Sequence, residues 1–412
     1  MNRNDCAGDR PIKKVSGSSE FNRRKALKIL ASVTAGAAIP GYLHADTNSK
    51  ENLSGRRAKG VKKIATEEAW CIPEIAEGLR NISRKGNTNL DYKLIAQIFD
   101  APVASTANKI AGVDQTANRD ASAGLMLSKL LDTEEMRMDD MNTHGVDMHL
   151  LSLSLPGVQI FEPTKAGELA RLANDRMRAV ILKSPERYAG LACFAPQNPN
   201  NAAKEMERAI TDLKLNGFLV NSHTNNTYFD DEKLWPILEA AESLDRPLYI
   251  HPRAPSDGMA LPFADYRLEG AVWGYGIETS THILRMIFGG VFDRFPKLQI
   301  VIGHMGEALP FWLSRLDFMG RPGARAGRKN QLKPSDYFQR NIVITTSGVE
   351  DPLALKYCIE KIGADRIMWA IDYPFQPTAS AVSFIDSASI SETDREKIAH
   401  GNAERIFRIN KL

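Results

Sequence analysis

From residue 61 onward, short apolar runs alternate with longer amphipathic stretches, and this order leaves few folds open. The runs at 63–69, 146–153, 188–194, 217–221, 247–251, 299–303, 341–345 and 366–371 have the length and character of strands. Stretches such as 165–183, 202–215 and 232–244 space their apolar residues for one face of a helix. Strand and helix in alternation predict an α/β fold with a parallel sheet. Eight repeats favour a closed (β/α)8 barrel over an open doubly wound sheet, which remains the alternative.

The chain has 412 residues, 43% hydrophobic and 25% charged, which suits one large domain with an ample core and an N-terminal extension. No run approaches the ~18 apolar residues of a membrane span. The formal charge of +3 is uneven: residues 1–45 hold eight Lys/Arg against three acids, so the remainder carries −2. A slightly acidic body gives no electrostatic reason to expect nucleic acid or a membrane as partner. Cys6, Cys71, Cys193 and Cys358 have no metal-type spacing and read as free thiols.

Residues 1–45 run from polar through Asn22-Arg23-Arg24-Lys25-Ala26-Leu27-Lys28 to a weakly apolar stretch, 29–43, ending near Leu43-His44-Ala45. This order resembles a twin-arginine export signal, with alanine in place of the usual Phe. The expectation is a periplasmic protein exported folded; the alternative is a cytoplasmic enzyme behind a basic leader. Residues 46–60 read as a linker and 61–412 as the barrel domain. A long insertion at 77–135, rich in Asn, Thr and Ala, follows the first strand and has the length of a lid or binding surface.

The first strand carries Glu67 and Glu68. Burying both is costly unless a cation meets at least one of them. Side-chain alternation puts Glu67 and Ala69 on one face and Glu68 on the other. In a barrel the chemistry sits at the C-terminal strand ends. Those ends hold Glu67 and Ala69 on the first strand, Asn221 and His223 after the fourth, His251 on the fifth, His304 after the sixth and Asp372 after the eighth. Glu67, His251 and Asp372 form an O/N/O set able to hold a divalent ion with positions left for water or substrate. Alone, Asp372 also reads as a turn acid and His251 as a satisfied core histidine.

Gly303-His304-Met305-Gly306-Glu307-Ala308-Leu309-Pro310-Phe311-Trp312, with Arg315 and Asp317 following, resembles the signature of the amidohydrolase-related family. That family includes the nonoxidative aromatic acid decarboxylases and aminocarboxymuconate semialdehyde decarboxylase. Val220-Asn221-Ser222-His223-Thr224, Tyr249-Ile250-His251-Pro252-Arg253, Asp372-Tyr373-Pro374-Phe375 and Gly401-Asn402-Ala403-Glu404-Arg405-Ile406-Phe407 carry the same resemblance.

It implies a metal-dependent TIM barrel in which Glu67, His251 and Asp372 bind one divalent metal ion, Mn2+ or Zn2+. His304 matches a histidine beside the metal that orients the strand-eight aspartate or relays its proton. Arg315 matches an arginine near the substrate carboxylate, in some relatives across the dimer interface; a helix-surface ion pair with Asp317 is its plainer reading. Asn221 and His223 look like substrate-pocket wall residues. Relatives are dimers or tetramers, and Phe311 and Trp312 suit either an interface of a homodimer or homotetramer or packing within the monomer.

Two positions depart from the wider superfamily. Hydrolytic members carry His-x-His on the first strand; here Glu67-x-Ala69 supplies one carboxylate and loses the second ligand. The change suits harder cations such as Mn2+ and leaves room for a chelating substrate, as in the dihydroxybenzoate and carboxyvanillate decarboxylase branch. Gln376 stands where many relatives have an acid. The resemblance therefore implies a nonoxidative decarboxylase of an ortho-hydroxylated aromatic acid, a small-molecule substrate, with Asp372 and His304 catalytic. The same residues would serve a hydrolase of a lactone or amide. A noncatalytic barrel scaffold is a third reading, opposed by the intact Glu67, His251, His304 and Asp372.

Overall fold

In the computed structural model the described residues are 60–84, 90–101, 119–153 and 155–409. The expected leader at 1–45 and all but the last residue of the linker lie outside them. Eight strands, β1 (Ile64–Trp70), β2 (Met148–Leu153), β3 (Tyr188–Ala192), β4 (Gly217–Asn221), β5 (Leu248–His251), β6 (Ile300–Ile302), β7 (Ile342–Thr345) and β8 (Ile367–Met368), fall one in each expected run. They pair in parallel, in sequence order, into a nearly closed barrel.

Twelve helices of eight residues or more occur among the described residues. The connection from β1 to β2 holds α1 (Pro73–Arg84), α2 (Leu90–Asp100), α3 (Arg119–Leu131) and α4 (Met136–His144), so the described part of the expected insertion is mainly helical. The others follow the strands in turn: α5 (Pro163–Lys183), α6 (Pro199–Thr211), α7 (Trp235–Ser243), α8 (Gly274–Phe288), α9 (Leu309–Gly320), α10 (Pro334–Asn341), α11 (Pro352–Ile362) and α12 (Thr378–Ser387). Proline in the first turn marks the starts of α5, α6, α9, α10 and α11, where a missing N–H costs nothing.

Alternation along the strands builds two apolar layers. Leu219, Tyr249, Val301, Val343 and Met368 point to the barrel axis and pack with Ile64 and Leu150. The residues between them, such as Ile250, Ile302 and Ile344, pack beneath the helices. Burial of both faces explains why the strands read as continuous apolar runs.

Strand β1 contains a bulge: Ala65 pairs with His149 and Glu68 with Leu151, so Thr66 and Glu67 face Leu150 alone. The extra residue shifts the alternation by one position. Ile64 and Glu67 therefore both face the axis, and Glu68 faces outward.

The seam between β8 and β1 is made largely by individual hydrogen bonds. The expected eighth strand reaches residue 371, but β8 stops at Met368 because Trp369 N–H turns to Ile398 O (2.8 Å) and Ile371 N–H to Glu68 (3.1 Å). Thr66 Oγ1 donates to Trp369 O (2.9 Å), Ala69 N–H to Tyr373 O (2.7 Å), and Tyr373 N–H to Glu68 (3.0 Å). Burial pushes the Glu68 carboxyl up to about 8, against the pull of those two N–H groups and of nearby Arg137. Arg137, buried on α4, donates to Ala69 O (2.7 Å) and stacks over the Tyr373 ring (4.4 Å).

Candidate active site

The bulge delivers Glu67 to the top of the barrel interior, where its two oxygens have different fates. Oε2 accepts hydrogen bonds from Tyr249, Ser347 and Thr345, the last at 3.0 Å. Oε1 is buried and has no hydrogen-bond partner. Gly303, at the end of β6, makes this arrangement possible: a β-carbon there would lie 2.7 and 2.8 Å from the two Glu67 oxygens.

An unpartnered buried carboxylate oxygen is costly, and here it faces further ligand-type atoms. His251 Nε2 lies 3.6 Å and His304 Nε2 3.8 Å from it. His251 Nδ1 sits 2.8 Å from Pro252 O and must donate to that carbonyl, which leaves the Nε2 lone pair aimed at the gap. Asp372, just past β8, completes the cluster. Ligand atoms of Glu67, His251 and Asp372 all lie within 4.8 Å of one another. The two carboxylates, that of Glu67 with its orphaned oxygen, and the His251 imidazole fit a divalent cation. Ala69 adds no ligand atom; its N–H and carbonyl serve the seam.

His304 opens an unusual turn. His304, Met305, Gly306, Glu307 and Ala308 have φ of 51, 55, 74, 51 and 60°, one turn of left-handed helix. Such backbone costs roughly 1–2 kcal/mol per non-glycine residue, and it aims His304 Nδ1 at Glu307 Oε1 (2.8 Å). On its other side His304 Nε2 lies 3.9 Å from Asp372 Oδ2. Burial works against a charge on His304, yet Glu307, Glu67 and Asp372 together hold its pKa well above the ordinary value. Burial, reinforced by the charge of Glu67, raises the carboxyl of Asp372 although His304 opposes the shift. Burial also acts on Glu67, where His304, His251, Ser347 and Tyr249 outweigh it and lower the pKa. Glu307 has no role assigned from the sequence; its place three residues after His304 is the signal that points to this pairing.

Asp372 and His304 carry the cluster to a cavity of ≈ 640 Å³ whose walls include Trp273, Tyr275, Trp312, Arg315 and Gln376; Glu67 and His251 lie behind them and do not line it. Arg315 is exposed on α9, and no ion pair to Asp317 forms, because Asp317 accepts from Ser335 N–H (2.9 Å) and Oγ (2.7 Å). The other two expected wall residues do not line this cavity. His223 accepts from Asn226 N–H at Nδ1 (3.3 Å) and meets Ala254 O at Nε2 (3.2 Å); burial, aided by Arg253, brings its pKa down to about 4. Asn221, beside His251 in the ladder, has its backbone clamped by Gln159 (2.7 and 2.8 Å) and its Oδ1 buried without a partner.

The β5 end is also fixed from the insertion. Asp91 at the start of α2 accepts from Arg253 Nε (3.0 Å), from Arg253 Nη2 and from Ala254 N–H (2.6 Å), and both charged side chains are buried.

Comparison with known proteins agrees with this geometry. The amidohydrolase family (Amidohydro_2) matches residues 129–409. A gamma-resorcylate decarboxylase from Polaromonas sp. (strain JS666) is 39% identical over 297 residues, covering 69% of this chain and 90% of that protein. The crystal structure of 5-carboxyvanillate decarboxylase from Sphingomonas paucimobilis superposes with a TM-score of 0.78 at 48% identity, over 85% of this chain and 100% of the other. The 5-carboxyvanillate decarboxylase of Novosphingobium aromaticivorans, solved with manganese and 4-hydroxy-3-methoxy-5-nitrobenzoic acid, gives 0.76 at 36% identity over 85% and 96%. With the barrel, the strand-end ligand cluster and these matches in agreement, the chain belongs to the amidohydrolase family.

Proposed function

We propose that the protein is a metal-dependent nonoxidative decarboxylase of an ortho-hydroxylated aromatic carboxylic acid, a carboxy-lyase. The observation that carries this reading is the Glu67/His251/Asp372 cluster, lacking a second first-strand imidazole at Ala69 and opening into an aromatic-walled cavity. The manganese in a related structure and the oxygen-rich ligand set support one divalent ion, Mn2+, held by Glu67, His251 and Asp372. When bound, the ion supplies Lewis acidity toward the substrate's carboxylate and phenolate oxygens.

Asp372 gives a proton to the ring carbon that bears the carboxylate, a role that the upward push of burial on its carboxyl favours. The carbon–carboxylate bond then breaks, its electron pair restores the aromatic ring, and CO2 leaves. His304, kept protonated by Glu307, returns a proton to Asp372 and recovers one from solvent. Arg315 offsets the charge of the substrate carboxylate from the cavity wall.

Mn2+-loaded protein is expected to release CO2 from 2,6-dihydroxybenzoate or 5-carboxyvanillate, and Asp372→Asn to lower the rate by about 10²–10⁴-fold. Normal CO2 release by that variant would remove Asp372 from its role, and lactone opening without CO2 would replace the decarboxylase reading.

Two further proposals concern the whole chain. Exposed aromatics on α9 beside the cavity mouth support a homodimer or homotetramer. The Arg23-Arg24 pair and the apolar run after it support twin-arginine export to the periplasm. Retention of wild-type protein in the cytoplasm with Met1 intact would refute export.

A further inference from the structure

We infer that Ser347 is a positioning residue that locks Glu67 and His304 to one another, fixing Glu67 as a one-oxygen metal ligand. The inference rests on the reading of Glu67 as a ligand.

Ser347 is fully buried, and its hydroxyl touches three groups: the Glu67 carboxylate at Oε2, the His304 backbone N–H (3.1 Å) and Thr345 Oγ1 (2.9 Å). A hydroxyl has one proton to give. The His304 N–H can only donate, so it occupies a Ser347 lone pair. The ionised carboxylate can only accept, so the Ser347 proton goes to Glu67. The direction of both bonds is therefore fixed without reference to any bound group.

The consequences for Glu67 follow from counting. Oε2 has two lone pairs, and the hydroxyls of Ser347 and Tyr249 occupy them while Thr345 approaches as a third donor at 3.0 Å. That oxygen has no free lone pair for a cation. Oε1, buried and unpartnered, retains both of its own. The carboxylate thus offers a single oxygen toward His251 and Asp372, and the hydroxyl clamp prevents it from rotating to offer two.

The consequences for His304 concern strain. Its N–H is the first of the left-handed turn, which is unfavourable for every residue in it except Gly306. Seating that N–H on the hydroxyl that holds Glu67 sets the spacing between the ligand oxygen and the imidazole at the 3.8 Å observed. Ser347 does not line the cavity, so its influence on the site passes through the groups its hydroxyl holds, chiefly Glu67 and His304.

The test is Mn2+ binding to purified, metal-stripped full-length protein by equilibrium dialysis. Ser347→Ala is expected to weaken Mn2+ binding by about 10–100-fold, the usual effect of removing a group that orients a ligand. Ser347→Thr, which keeps the hydroxyl, is expected to recover most of the loss. At saturating Mn2+, Ser347→Ala is expected to lower kcat while KM for the aromatic acid stays within about threefold, because His304 moves and the aromatic walls, Trp273, Tyr275 and Trp312, do not. If the extra methyl of threonine prevents folding, Tyr249→Phe removes another Oε2 donor and is expected to weaken Mn2+ binding in the same direction.

Mn2+ affinity of Ser347→Ala within about twofold of wild type overturns the inference, as does wild-type protein that binds no Mn2+. The predicted loss of Mn2+ affinity, found in a protein that releases no CO2 from any hydroxybenzoate, upholds the clamp and removes only the decarboxylase reading.

Discussion

The metal corner depends on a residue with no side chain. The Gly303 α-carbon faces the Glu67 carboxylate so closely that an added methyl would stand 2.7–2.8 Å from both oxygens, and the three hydroxyls leave the carboxylate no retreat. Gly303→Ala is expected to push Glu67 aside and weaken Mn2+ binding by about tenfold or more. The melting temperature of the metal-free variant should stay within about 2 °C of wild type, a shift of roughly 1–2 kcal/mol for a domain of this size. Dialysis and calorimetry check both quantities, and unchanged affinity would argue that Glu67 is not a ligand. Glu67, His251 and Asp372 could be picked out from the sequence because acids and histidines stand out at the ends of apolar runs. Tyr249, Thr345 and Ser347 could not. Hydroxyl residues are common at strand ends, and these reach Glu67 across 182, 278 and 280 positions of chain.

Among elements, the repeating strands and helices were legible because both faces of each strand are buried and each amphipathic helix covers one stretch of sheet. Local departures from that regularity were not. The bulge in β1 leaves no mark in Ile64-Ala65-Thr66-Glu67, and the left-handed turn at 304–308 contains a single glycine. The insertion reads from the sequence as a lid or binding surface with no helix assigned to it, yet α2 forms there and is held down by a charge pair that only the folded chain assembles. Asp91 and Arg253 are each about 3% exposed, so removing one partner leaves the other as an uncompensated buried charge. Asp91→Ala is expected to lower the free energy of unfolding by about 3–5 kcal/mol. Urea titration measures it, and a change below about 1 kcal/mol would show that α2 is not anchored through Arg253.

For the whole molecule, α9 presents Phe311, Trp312 and Phe318 to solvent at 66, 49 and 69% exposure. Three exposed aromatics on one helix are more than an isolated globular chain usually leaves uncovered, and a second copy of the chain is the proposed cover. Light scattering on purified protein should give a mass at least twice that of the chain. The double variant Phe311→Lys with Phe318→Lys should give the monomer mass, and a monomeric wild type would reject the assembly. The seam of the barrel adds a different consequence. Glu67 and Asp372 lie on opposite sides of the place where the ladder is thinnest, one on β1 and the other just beyond β8. A cation gripped by both acts as a clasp across the opening of a ring. The binding energy of such an ion would add to the work needed to pry the first and last strands apart, which would make it part of the architecture of the barrel as well as of its chemistry.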